Sequence, residues 1–292
     1  MLSQLIINIV YISSIIFLVG ISFSLIFSTA RFFHFAHAVV ITSGAYGCYA
    51  FSELLGLSMP LSVALAILVA TGLGWSLEFF VYRAMRRNGA SPLTSLLASL
   101  GLYIMLQNVI SIFFGDDTKV IADSAITPSF SILGAKITAI QLTMIGLAVA
   151  TFCAKVFFID RTKIGLALRA VSDSPELAKV SGIDFDITMG VAFCLGSFIG
   201  SVVGLARAFD VGMTPTMGLA MLLLGVVAVV IGGNGKTFGV AIASVLLASL
   251  QQLAGWQFGT LWEETTAFLL LLFYLLCRPQ GLFGRISKQL SV

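Results

Sequence analysis

Charge is what this chain has least of. Only 10% of its 292 residues are Asp, Glu, Lys or Arg, whereas 59% are hydrophobic, and the mean hydropathy is +1.06. A water-soluble chain of this length could not cover so much apolar surface with so few charges, which excludes a soluble globular function. Residues 1–30, 54–77, 88–115, 211–235 and 237–262 carry no charge at all. A hydrocarbon core about 30 Å thick needs roughly 20 apolar residues per helix, so each of these runs is long enough to cross a bilayer. The runs are continuous and do not alternate, which points to helices and not to barrel strands.

Histidine and cysteine are scarce as well. The two histidines, His34 and His37, follow the first run, and Cys48, Cys153, Cys194 and Cys277 lie singly in four apolar segments. The cysteines have no metal-type or redox-type spacing and read as packing residues. The histidines, spaced i and i+3, could share one helix face and bind a metal or shuttle a proton, although no metal site is expected. Two histidines on one short segment cannot supply imidazoles from opposite helices for a haem. His37 reads first as a structural group bonding backbone where a helix enters the bilayer, and second as a lining residue of a translocation path.

Enzyme readings fail for want of neighbours. Glu263-Glu264, Ser43-Gly44 and Asp116 each resemble part of an intramembrane protease motif and lack the rest of it. Gly235-Lys236-Thr237 mimics the end of a phosphate-binding loop, but Val230 stands where that loop needs glycine, and the segment lies between two apolar stretches. The expectation is a non-enzyme that binds no cofactor of its own.

What is present is a series of apolar segments and their punctuation. Helices are expected near 5–28, 36–55, 59–82, 92–114, 137–158, 187–208, 218–231, 237–255 and 263–277, with breaks at Met59-Pro60, at Ser91-Pro92, in the acidic loop from Gly115 to Asp123, and at Gly232-Gly233-Asn234-Gly235. The first is read as a retained span, because no basic region precedes it and its apolar stretch from Leu5 to Phe27 is too long for a signal core. The fold class expected is all-α: one polytopic transmembrane bundle over 1–292 with about eight to ten membrane segments. The short stretch 218–231 is a candidate half of a re-entrant pair with 237–255.

Orientation follows from the cations. Arg31, Arg83, Arg86, Arg87, Lys155, Arg161, Lys163, Arg169, Lys179, Lys236, Arg278, Arg285 and Lys288 fall on one side, and Lys119, Lys136 and Arg207 on the other. Because Lys and Arg accumulate on the cytoplasmic side, the amino terminus is expected outside and the carboxyl terminus inside. The formal net charge of +3 is then topological and no sign of nucleic acid.

One cytoplasmic interruption stands out. Residues 159–186 are too polar to span yet are patterned like structure: Ser174, Pro175 and Glu176 make a helix start, and Gly182 makes a stop. Two short helices, over 164–171 and around Leu177 to Val180, would present a rigid knob for a soluble partner. A plain connecting loop resting on the headgroups is the other reading. Within the bundle, Gly196, Gly200 and Gly204 recur every four residues and make one helix face flat enough for close packing. Glu53, Glu78, Glu263 and Glu264 fall near expected span ends, leaving the neutral Gln107, Asn108 and Gln141 as candidates to line a path.

At the knob the chain resembles a family. Gly165-Leu166-Ala167-Leu168-Arg169-Ala170 and then Ala178-Lys179-Val180-Ser181-Gly182-Ile183 resemble the coupling segment of permease subunits from ABC importers of the branched-chain amino-acid type and their urea and amide relatives. Phe35-Ala36-His37 is similar to the family's Asn-Phe-Ala-His-Gly motif, Ile231 to Gly235 with Gly239 to its late glycine turn, and Arg278-Pro279-Gln280-Gly281-Leu282-Phe283-Gly284 to its carboxyl-terminal signature. The chain departs from the pattern where His34 takes the Asn position, where Ala38 replaces the final Gly, and where Asn8 is followed by Ile9 instead of Gly.

The resemblance implies a multi-pass protein of a prokaryotic inner membrane that serves a small polar solute of the family's kind, a branched-chain amino acid or related amide. It implies two ABC ATPase subunits that use the ATP, a second permease subunit, an extracytoplasmic solute-binding protein, and surrounding lipid. It marks Gly165, Arg169, Ala170, Ser174, Glu176, Ala178 and Gly182 as ATPase-coupling residues, and Gly232, Gly233 and Gly235 as a tight turn. Two rivals remain: an ion-driven secondary carrier, which needs a buried acid or broken helices at midplane, and a membrane scaffold, which would tolerate scrambling of 165–183.

Overall fold

The computed structural model describes residues 2–121, 129–132 and 134–277. The carboxyl-terminal signature, with Arg278, Arg285 and Lys288, lies outside the described residues.

The first apolar run forms one helix, α1 (Leu2–Ala30). It has no charged face to turn to water, and a helix apolar all round belongs in an interior. Accordingly α1 is the axis of the bundle, with 83% of its most apolar window buried. Against it pack α9 (Phe185–Val211), α10 (Met217–Gly232) and α11 (Thr237–Phe258), and α9 also carries α2 (His37–Tyr49, continued as a π-helical turn over Ala50–Leu54) and α3 (Met59–Ser76). The last runs through a second π-helical stretch, Leu77–Tyr82, into α4 (Arg83–Arg87). The outer helices are α5 (Pro92–Phe114), α6 (Ala139–Arg161) and α12 (Trp262–Cys277).

Among the described residues, six helical stretches are long and apolar enough to cross a membrane: Leu2–Ala30, Met59–Arg87, Pro92–Phe114, Ala139–Phe158, Phe185–Val211 and Thr237–Phe258. The shorter α2, α10 and α12 complete the apolar segments expected from the sequence. Capping sets several starts. Ser91 accepts from Thr94 N–H ahead of Pro92, Thr138 and Gln141 form a reciprocal capping box on α6, and Asp184 accepts from Ile187 N–H at the head of α9.

Close helix approach depends on glycine. A Cβ on Gly204 would run into the Ile41 carbonyl, and one on Gly44 would lie 2.5 Å from the Ser201 carbonyl oxygen. The three glycines of α9 therefore form a packing seam, Gly196 on α1 and Gly200 and Gly204 on α2, where van der Waals contact replaces the hydrophobic drive that lipid does not supply.

Two features differ from expectation. A short antiparallel hairpin, β1 (Ser129–Ile132) with β2 (Ala135–Thr138), precedes α6, paired from Ser129 with Thr138 to Ile132 with Ala135, so that helix starts two residues later than its apolar pattern suggests. α10 and α11 are joined by a tight turn with Gly233 and Gly235 at φ +93° and +75°. Irregular backbone that the apolar pattern did not mark enters the bundle at 31–36. α2 begins beside Ser22, eight residues before the end of α1, which is about 12 Å along the helix axis.

Candidate functional site

The interruption between α6 and α9 folds into α7 (Lys163–Asp173) and α8 (Pro175–Val180). Each local signal has a physical counterpart. Thr162 accepts from Gly165 N–H to start α7, and Ser174 accepts from Leu177 N–H to start α8 with Pro175 in the first position, where its missing N–H costs nothing. Gly182, at φ +79°, ends the pair, and Ile183 N–H closes back on the Ala178 carbonyl.

The two helices sort their residues by face. Gly165, Leu168, Val171 and Ala178 are buried against the bundle. Ile164, Leu166, Leu177 and Val180 point away from it, with Val180 88% exposed. Arg169 and Glu176 lie on the exposed side, Ala170 is half-buried, and Ser174 is half-buried between the helices. The residues marked for coupling are thus brought together on one knob, whose outer face is apolar with a charged border.

Two ties hold this knob to the bundle. Arg31 ends α1 in the left-handed region at φ +57°, the only non-glycine residue in that region among those described, and its guanidinium donates to the carbonyls of Ser172 at 2.9 Å and Asp173 at 3.1 Å. These are orphan carbonyls at the end of α7, where a cation also suits the helix dipole. On the other flank Asp186, in the first turn of α9, accepts from Arg83 at 2.8 Å, Arg87 at 3.1 Å and Arg86 at 3.3 Å. Arg86 also grips Glu78 with two bonds. Glu78 is only 3% exposed, so it sits deeper than its expected place near a span end, and its charge is matched there by the guanidinium. Sequence reasoning counted these arginines as topology markers. Nothing in the sequence set Asp186 apart from its neighbour Asp184, which caps α9, because its arginine partners lie about a hundred positions earlier.

The expected path residues lie apart. His37 is fully buried, its Nε2 paired with the Ser22 hydroxyl, which donates in turn to the Gly196 carbonyl at 2.8 Å. That is a structural setting between α1, α2 and α9. Gln107 and Asn108 sit on α5, bonded to Ser111 and the Ile104 carbonyl, with Asn108 exposed. Gln141 reaches Asp210 at 3.4 Å at the opposite end of the bundle, where Asp210 also accepts from Tyr11 and Arg207. A cavity of about 580 Å³ opens nearby between α1, α11 and α12, lined by Gln4, Asn8, Gln252, Trp256 and Glu263, and none of the four path residues lines it. Among the described residues no group of three or more His, Cys, Asp or Glu could hold a metal ion.

Comparison with known proteins places this architecture. The chain is 26% identical to the high-affinity branched-chain amino acid transport system permease protein BraD of Pseudomonas aeruginosa, covering 97% of this chain and 95% of that one. It is 27% identical to the permease protein LivH of Escherichia coli, covering 92% and 91%, and 22% identical to a probable LivH of Methanocaldococcus jannaschii, covering 96% and 91%. In fold it is similar to PsaBC from Streptococcus pneumoniae, with a TM-score of 0.51 at 14% identity over 94% of this chain and 95% of that one. The model of the branched-chain amino acid transport system permease component matches residues 5–277, and the chain, a multi-pass membrane protein, belongs to that family.

Proposed function

We propose that this chain forms the membrane path of an ATP-driven importer for branched-chain amino acids or related small polar solutes. The end bearing Arg31, Arg83, Arg86, Arg87 and α7–α8 faces the cytoplasm, and the end bearing the hairpin faces outward. The reading rests on the family match together with the knob, a capped and braced structure whose exposed face is apolar at Ile164, Leu166, Leu177 and Val180. An exposed apolar patch marks a protein or membrane contact, and with the family match the partner that fits is an ABC ATPase, one on each of two permease subunits.

In this reading Gly165, Arg169, Ala170, Ser174, Glu176, Ala178 and Gly182 build the docking surface. ATP binds to the partners and not to this chain. The ATPases drive access by preferring one arrangement of the knob over another, since a ligand that binds both states equally shifts nothing. The exposed face of α5, with Asn108 on it and the half-buried Gln107 beside it, faces a second permease subunit across the path, and an external binding protein delivers solute to the outer end.

The test is uptake by vesicles holding the complete complex, with labelled Leu, Ile, Val and urea offered in turn. ATP-dependent uptake of a branched-chain amino acid is expected. No ATP-dependent uptake of any solute would overturn the reading.

A further inference from the structure

The arginine cluster reaches further than a brace needs to. Beginning at the knob, the Lys179 ammonium lies 4.9 Å from the centre of the Phe185 ring, and Arg86 lies over the same ring at 5.5 Å. Asp186 follows at once, held by Arg83, Arg86 and Arg87. From Arg86 the chain of bonds passes to Glu78, the second residue of the π-helical stretch Leu77–Tyr82. At the far end of that stretch the Tyr82 hydroxyl meets His34 Nδ1 at 3.1 Å, inside the bend that leads into α2. Cation–π and polar contacts therefore run from α8 as far as Glu78, and the π-helical backbone that carries both Glu78 and Tyr82 continues the path to the irregular backbone in the bundle.

We propose that Asp186 is the positioning residue through which movement of the α7–α8 knob is passed to α3 and so to the 31–36 bend, a role that rests on the ATP-driven reading above. A brace for docking would be complete with Arg31 on the α7 carbonyls, which already fixes the knob to α1. The second tie goes to a different helix, and it meets that helix beside a π-helical turn, a wider turn often found where helices adjust at functional sites. Pushing the knob then acts on two helices: directly on α1 through Arg31, and on α3 through Asp186. The tie is also separable from folding. In Asp186→Asn the buried Glu78 keeps both bonds to Arg86, so no buried charge is left unpaired.

The experiment measures ATP hydrolysis and solute uptake on the same vesicles containing the complete complex. Asp186→Asn is expected to lower uptake per ATP hydrolysed by about tenfold, a size typical of coupling between sites, while hydrolysis stays within about twofold of the unaltered complex. Asp186→Glu, which keeps the charge, is expected to restore most of the ratio. An unchanged ratio in Asp186→Asn overturns the proposal, and so does a parallel loss of hydrolysis and uptake in an assembled complex, which would make Asp186 part of docking. If Asp186→Asn does not assemble, Arg87→Gln decides, because Arg87 is the most exposed of the three arginines: the ratio should fall by about twofold, and an unchanged ratio overturns the proposal. Absence of ATP-dependent uptake in the unaltered complex is a different failure, since it removes the importer reading itself and this role with it.

Discussion

The chain turns back into its own bundle twice, after α1 at 31–36 and after α9 at 212–216, and the two bends are held by different means. At the first, side chains do the stitching. The Ser99 hydroxyl accepts from Phe35 N–H at 2.8 Å and donates to the Phe33 carbonyl at 3.2 Å, and Tyr82 meets His34. At the second, backbone meets backbone: Lys119 and Met213 exchange both N–H to carbonyl bonds at 2.9 Å. Neither following helix has a side-chain cap. Both bends satisfy buried backbone groups, as an interior without water demands. The first depends on the identity of particular residues, whereas the second depends on the course of the backbone.

That contrast can be broken by substitution. The largest effect is expected beneath the first bend, where a Cβ on Gly200 would lie 3.0 Å from both His37 Nε2 and the Ser22 hydroxyl. Gly200→Leu should cost on the order of 3 kcal/mol by overpacking, read as a large fall in the thermal midpoint of the purified protein in detergent. Ser99→Ala should come next. It strips one partner each from the Phe33 carbonyl and the Phe35 N–H, at a cost of about 2 kcal/mol, and a midpoint indistinguishable from the parent would show that the stitching is dispensable. Lys119→Ala should matter least, within about 0.5 kcal/mol, because only its backbone serves the second bend. A loss at Lys119 equal to that at Ser99 would erase the distinction between the bends.

The sequence disclosed elements by what they exclude. Charge-free length announces a span because lipid penalises every unpaired charge, and Ser174 with Pro175 and Gly182 announces α8 because its ends must satisfy their own backbone. The apolar segments and the knob were legible for those reasons. The first bend was not: Ser99 lies 64 residues from Phe35 and carries no periodic mark of its partner. Asp186 was invisible in the same way, since its meaning comes from arginines about a hundred positions earlier. The hairpin was masked by its brevity, four residues a strand beside a strongly apolar helix. Of the intramembrane candidates, the glycine seam was readable from its spacing alone, whereas His37 and Gln141 were readable only as polar residues and not as parts of two separate networks.

The burial of α1 also bears on how the protein is made. α1 is made before the helices that pack most heavily on it, since α9, α10 and α11 are encoded from residue 185 onward. The small-residue surfaces that will receive them, Gly20 among them, stay facing acyl chains until the last third of the chain has been inserted. A product cut short before α9 would therefore lack the three helices that cover its axial helix and leave α1 open to lipid.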